Sequence, residues 1–254
     1  MPQPHRMFFH YSEFPLSMRT LFTATLLVLG LGYVFAMIQV YAVNAGRDGK
    51  PGLSVDDIII AYSGSKEATK LEGSLLGPMS GMLPNDERGS IVGWIRRGLD
   101  KGEYDERIAP MFEKRCLACH DGSNPHIANL DSYENVSAVA VIDTGMSLYT
   151  LVRVTHIHLF GLTFIFFIMG TIFSHAYVRP VWFKSLIIAL PFLALVLDVS
   201  SWYLTKIFPH FAWVVIIGGG VYGMSFATQW IISMYQIWFY KFTARETSVE
   251  TTVG

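Results

Sequence analysis

Residues 112–122 read FEKRCLACHDG and hold both cysteines of a 254-residue chain, Cys116 and Cys119, with His120 directly after them. Cys-X-X-Cys-His is the spacing at which haem is attached covalently. Two thiols add to the two vinyl groups of the porphyrin and become thioethers. Two intervening residues let both sulfurs reach the vinyls from one helical turn. The adjacent imidazole then lies under the iron as its proximal ligand. Three other chemistries use part of this set. A disulfide employs both cysteines and leaves His120 unexplained. A zinc site would recruit Cys116, Cys119, His120 and His126, at a spacing unlike the usual finger patterns. A thioredoxin-like pair calls for a βαβ pattern that the flanking sequence lacks. Haem accounts for all three residues.

The surrounding stretch 107–136, RIAPMFEKRCLACHDGSNPHIANLDSYENV, resembles the haem segment of bacterial periplasmic c-type cytochrome domains. In these a proline and a bulky residue precede the motif and an LxSYExV-like stretch follows. The resemblance is specific at Cys116, Cys119 and His120, reaches back at most to Leu53, and covers no apolar span. It implies one covalent haem c in a membrane-anchored cytochrome. In small soluble class I cytochromes c the motif opens the domain and a methionine ligand lies well downstream. Here the motif lies near the end of the soluble part, so that ligand does not carry over. Upstream candidates for the sixth position are Met79, Met82 and Met111; downstream ones are His126, Met146, His156 and His158. The Gly/Pro loop GPMSGM favours Met79 or Met82, because such a loop can present sulfur to iron. Methionine ligation raises the potential and histidine lowers it. The alternative for any one methionine is core filling.

The elements that position this segment follow from composition. The chain is 52% hydrophobic and 15% charged, against about 25% charged in an average soluble domain. Its mean hydropathy is +0.38. Charges crowd between residues 44 and 120, which reads as a membrane protein with one soluble part. A net charge of −1 points to no nucleic-acid partner. Four runs reach the roughly 20 apolar residues that a bilayer requires: 20–43, 151–176, 183–205 and 211–240. The first is too long for an ordinary signal-peptide core and reads as a signal anchor. The expected fold is all-α: four transmembrane helices, plus a small, mainly helical c-type haem domain over residues 44–150.

Arg6 and Arg19 in the 1–19 tail, Arg179 and Lys184 between spans two and three, and Lys241 and Arg245 in the 241–254 tail favour the cytoplasmic side. Lys206 and Arg153 vote weakly the other way. Both termini are then cytoplasmic and residues 44–150 periplasmic, at a bacterial inner membrane. That is also the side on which haem is attached, a conclusion reached without the motif.

Within residues 44–150, Ser54-Val55-Asp56-Asp57 reads as a helix cap, and Ile91, Val92, Ile95 and Leu99 form a helical stripe that ends at Gly98–Gly102. Trp94 is expected in the core or against the haem edge. In the spans, His156 and His158 lie at one end of span two and His175 at the other, about 28 Å apart along a helix. His210 opens span four and could face His156 or His158, as an outer haem b would require. His175 has only His5 or His10 as inner partners. Asp198 is an acid inside a span, a functional anomaly by default. Ser200, Ser201 and Gln229 are further polar candidates. Gly218–Gly220 and Gly223 give a thin surface suited to helix packing or a flat ligand.

The expected function is a mono-haem cytochrome relaying electrons, a subunit of a larger redox complex rather than a stand-alone catalyst. Two alternatives stay open. One is a quinol dehydrogenase with an outer quinol and proton site at Asp198, His158 and His210. The other is a haem-based sensor or scaffold.

Overall fold

The computed structural model describes residues 9–125 and 127–240. Arg6, Lys241 and Arg245, and the candidate ligands His5 and His126, lie outside the described residues. Among the described residues the chain is helical throughout, with a single isolated bridge between Thr69 and Ile142 and no strand. The helices are α1 (Leu16–Asn44), α2 (Val55–Ser63), α3 (Lys70–Leu76), α4 (Asn85–Arg96), α5 (Lys101–Glu103), α6 (Ala109–Arg115), α7 (Tyr133–Val139), α8 (Leu148–Ser174), α9 (Val181–Ile207) and α10 (Ala212–Trp238). A π-helical turn, Tyr104–Ile108, joins α5 to α6.

Four helical segments are long and apolar enough to cross a membrane: α1, α8, α9 and Pro209–Trp238, which contains α10. They coincide with the four expected spans but end elsewhere. α1 starts at Leu16 rather than at 20, and α8 starts at Leu148 rather than at 151. Hydropathy marks the hydrocarbon, whereas backbone hydrogen bonding continues the helix past it. The fourth helix is 27 residues, about 40 Å, after a 3-10 turn at Pro209–Phe211. α9 runs through Pro191 without a break in its helical assignment.

The chain divides into two compact units. The membrane unit comprises Met1–Met37, Val152–Ser201 and Trp213–Gly254. Its core includes Leu26, Met169, Phe173, Ile187 and Phe226. α1 is fastened by indole donors: Trp230 Nε1 to the Leu26 carbonyl at 2.7 Å and Trp238 Nε1 to Thr23 Oγ1 at 2.9 Å. Arg19 adds a bond to the Ile237 carbonyl. Two of the α10 glycines serve packing, whereas a Cβ at Gly220 would meet nothing within 4 Å. A Cβ at Gly218 would press on Asp198 Cβ at 3.1 Å, and one at Gly223 would overlap the Tyr33 hydroxyl.

The connecting unit comprises Ile38–Leu151 and Trp202–Ala212. Two capping boxes start its helices, Ser54 with Asp57 on α2 and Thr69 with Glu72 on α3. Each satisfies two orphan backbone donors reciprocally. Its core gathers Leu71, Leu75, Ile91, Trp94, Ile108, Phe112 and Val136. Trp94 is fully buried and donates Nε1 to the Asp100 carbonyl at 2.8 Å.

Besides Ile38–Leu151, this unit takes in the α9–α10 turn. Lys206 ties that turn to it. Its ammonium donates to three carbonyls, those of Tyr62 at 2.9 Å, Thr144 at 3.0 Å and Met146 at 2.7 Å. Ser63 Oγ donates to the Thr205 carbonyl at 2.6 Å, and Tyr62 stacks on Trp202 with 6.0 Å between ring centres. The end of α2 and the loop before α8 touch through glycine. A Cβ at Gly64 would overlap the Asp143 carbonyl, one at Gly145 that of Tyr62, and both residues have positive φ.

Candidate functional site

α6 delivers the cysteine pair. It ends at Arg115, where the Cys116 amide donates to the Phe112 carbonyl at 2.8 Å. The amides of Cys119 and His120 then both bond the Cys116 carbonyl, at 3.1 and 2.9 Å. The motif is therefore wound as tight turns, with Cys116 half-buried, Cys119 exposed and both thiols free. The His120 carbonyl accepts from the Leu130 amide at 2.9 Å, which ties the turn to the returning chain.

His120 Nδ1 lies 2.7 Å from the Ala128 carbonyl oxygen. A carbonyl only accepts, so Nδ1 carries the proton. In the neutral ring the lone pair is then on Nε2, the arrangement that prepares an imidazole to ligate a metal.

Cys116, Cys119 and His120 line one pocket of about 400 Å³. That volume lies within the range of about 300–1,000 Å³ typical of cofactor and ligand sites. Leu71 and Leu75 of α3, Phe112 of α6 and Leu130 give it an apolar surface. Met79 and Met82 line the same pocket. Their side chains are 37% and 64% exposed, so two large thioethers stand open at an apolar cleft. The loop that carries them is pinned: Arg88 Nη1 donates to the Ser80 carbonyl at 2.9 Å and Nη2 to Asn85 Oδ1 at 2.7 Å. Two cations complete the rim, Lys70 and Arg115. Arg115 is held by a two-point bond to Glu87, at 2.9 and 3.1 Å. That hydrogen bond holds the Glu87 carboxyl below the usual carboxylate range.

The pocket discriminates among the chemistries open to a cysteine pair. Burial pushes the Cys116 thiol up, and the Glu87 charge adds to this. A zinc or thiol-redox site needs the thiolate, which this environment disfavours. The chemistry of the lining, two thiols, one prepared imidazole and two thioethers in an apolar surface, fits the donor set of a haem.

The other candidate ligands lie elsewhere. Met111 packs against the core cluster and does not line the pocket, so it is core filling. Met146 also stands outside the pocket lining; its backbone bonds the Ala61 carbonyl and serves Lys206. His156 and His158 are on α8 in the membrane unit, and His158 Nδ1 bonds the carbonyl of Val154 on its own helix. His210 is exposed in the connecting unit. One contact of the Asp198 carboxylate is with Tyr222, whose hydroxyl lies 3.5 Å from Oδ2. At the N-terminal end, His175 Nδ1 bonds the Phe9 carbonyl, whereas His10 Nε2 bonds Gln236. The two rings are thus engaged with different partners, not arranged as a haem pair.

Residues 131–244 match a family model, Aq_1264_TM, described as a transmembrane helical domain. The match begins downstream of the Cys-X-X-Cys-His segment. The chain is a multi-pass membrane protein. No curated protein and no solved structure matches the chain.

Proposed function

We propose that this membrane protein is a mono-haem c-type cytochrome that relays electrons, working as a subunit of a larger redox assembly. The observation that carries the reading is the shared pocket: Cys116, Cys119 and His120 line it together with Met79 and Met82. When bound there, haem supplies a one-electron couple at its iron. The chain's own residues do the rest. Cys116 and Cys119 would anchor the porphyrin through thioethers. His120, oriented by Ala128, would ligate through Nε2. Met79 or Met82 would offer sulfur at the sixth position and keep the potential high. Leu71, Leu75, Phe112 and Leu130 would exclude water, and Lys70 places positive charge at the lining, where Arg115 is paired with Glu87. A pocket that brings its own thioethers leaves no ready position for a gas, which favours relay over sensing. The Lys/Arg distribution supports a connecting unit at the periplasmic face of a bacterial inner membrane with both termini inside.

Haem staining of a denaturing gel should colour the monomer band after expression with a working haem-attachment system. Cys116→Ala with Cys119→Ala should remove the colour. A colourless wild-type band would overturn the reading. Reporter fusions at Gly254 and within residues 46–52 should report opposite sides of the membrane; the same side would contradict the orientation.

A further inference from the structure

The membrane unit buries a line of polar side chains that an electron relay does not use. Along α10, Tyr222, Ser225, Gln229, Ser233 and Gln236 recur at three- and four-residue steps, which is one face of a helix. The last four are buried. From Tyr222 to Gln236 the line is about 21 Å long. One end is the Asp198 carboxylate, 3% exposed, with the Tyr222 hydroxyl 3.5 Å away. At the other end Tyr11 gives its hydroxyl proton to the Ile172 carbonyl at 2.6 Å and accepts from Ser233 Oγ at 2.9 Å, and Gln236 Oε1 lies 3.1 Å from His10 Nε2. His10 is fully buried, yet its Nδ1 lies 2.9 Å from the hydroxyl of exposed Ser12. The line therefore reaches solvent.

Polar groups inside a lipid-facing bundle are costly, and their ordinary use is to bond one helix to another. That use covers part of the line: Gln229 Nε2 donates to the Ile187 carbonyl at 3.0 Å and Gln236 Nε2 to that of Tyr177 at 2.9 Å. It does not cover Gln229 Oε1, which is buried without a hydrogen-bond partner. Turning the amide over would set its oxygen against the Ile187 carbonyl, so the orientation stands. A buried acceptor in the middle of a polar line calls for a donor, and water is the smallest that fits.

We propose that this face of α10 is a proton-transfer path. Water bridges Gln229 to Ser225 and Ser233, and the line connects Asp198 with the surface at Ser12 through His10. A proton arriving at His10 Nδ1 from the Ser12 side releases one from Nε2 to water held beside Gln236 Oε1, an amide oxygen that orients the water without taking the proton. Hydroxyls and water pass it on, and the Asp198 carboxylate takes it up. The reverse order returns it. This function is separate from the haem pocket and stands or falls without it.

The test uses the full chain in lipid nanodiscs. Infrared spectroscopy follows the carbonyl band of protonated Asp198, assigned by its loss in Asp198→Asn. On transfer to heavy water the band should shift rapidly in the wild type. Gln229→Leu should keep the band and slow the shift by about tenfold or more, the change expected when one link of the transfer barrier is lost. Ser225→Ala with Ser233→Ala should do the same, and supplies the reading if the leucine variant fails to assemble. An unchanged exchange rate in the variant that assembles would overturn the path. So would the lack of any Asp198 carbonyl band from acid to mildly alkaline pH.

Discussion

The connecting unit and the membrane unit follow opposite plans. The first buries Trp94, Ile91 and Phe112, keeps its lysines and arginines at the surface while Asp57, Glu72 and Asp143 are buried, and leaves an apolar cleft open beside two cysteines and two methionines. The second exposes Phe164, Phe167, Trp213 and Ile217, and buries His10, Asp198, Gln229 and Ser233. Each shows its surroundings what those surroundings dissolve: charge to water, hydrocarbon to lipid. The residues that break each plan are therefore the informative ones. An open apolar cleft in a charged unit calls for a flat apolar guest. A polar line in an apolar unit calls for water or protons.

The largest expected effect sharpens the first half of that contrast. Met79 is the less exposed of the two thioethers and lies closer in sequence to the Gly77–Ser80 turn, which the Ser80 amide bond to the Gly77 carbonyl closes at 3.0 Å. Met79→Ala should abolish the sulfur-to-iron charge-transfer band of the oxidised protein, and Met79→His should lower the midpoint potential. Met82→Ala should leave both unchanged. If neither methionine alters the band or the potential, the cleft does not supply the sixth ligand.

Lys206→Met should come next, because it removes an ammonium from three carbonyls and leaves them unpaired. A loss of about 3 kcal/mol in the stability of the connecting unit is expected, by analogy with hydrogen bonds to charged groups. Thermal unfolding followed by tryptophan fluorescence reads it. Lys206→Arg should recover part of the loss. A wild-type melting curve for Lys206→Met would show that the three bonds do not hold the α9–α10 turn in this unit.

The smallest effect concerns pH. Burial alone would raise the Glu72 pKa, but bonds from the Thr69 backbone and side chain and from Arg96 outweigh it and hold the carboxyl below its ordinary 4.5. The Arg96 bond is 2.8 Å long. A depressed pKa means stabilisation that is fully present above the unfolded value and fades as pH falls through the folded one. The connecting unit should therefore lose stability on acidification below about pH 4.5, and Glu72→Gln should flatten that part of the profile, with a loss near neutrality of about 1 kcal/mol. A variant with the wild-type acid profile would rule Glu72 out as the cause.

Much of this architecture is legible in the sequence, for identifiable reasons. A bilayer demands long apolar runs, so the four spans stand out in any hydropathy reading. Cysteines are rare here, so a pair next to histidine carries information by itself. The Met79–Met82 loop is visible because Gly77, Pro78 and Gly81 mark a turn. Lys206 is not legible in this way. Its acceptors are backbone carbonyls from the end of α2 and from the loop before α8, and every residue has a carbonyl. In the sequence it is one charge in a short loop, fit only to vote on topology. Asp198 is legible as an anomaly but its Tyr222 contact is not, because tyrosine in an apolar span reads equally as an interfacial or a packing residue. The Thr69-x-x-Glu72 box has the sequence signature of a helix cap, and the structure forms it at the start of α3.

The central claim is that the Cys116–Cys119–His120 cleft holds one covalent haem. The most direct test is a pyridine haemochrome spectrum of the purified full-length protein, quantified against its protein concentration, because it distinguishes haem c from haem b and counts each. One haem c per chain is the predicted result. A spectrum with no haem c, from protein made with a competent attachment system, would contradict the account.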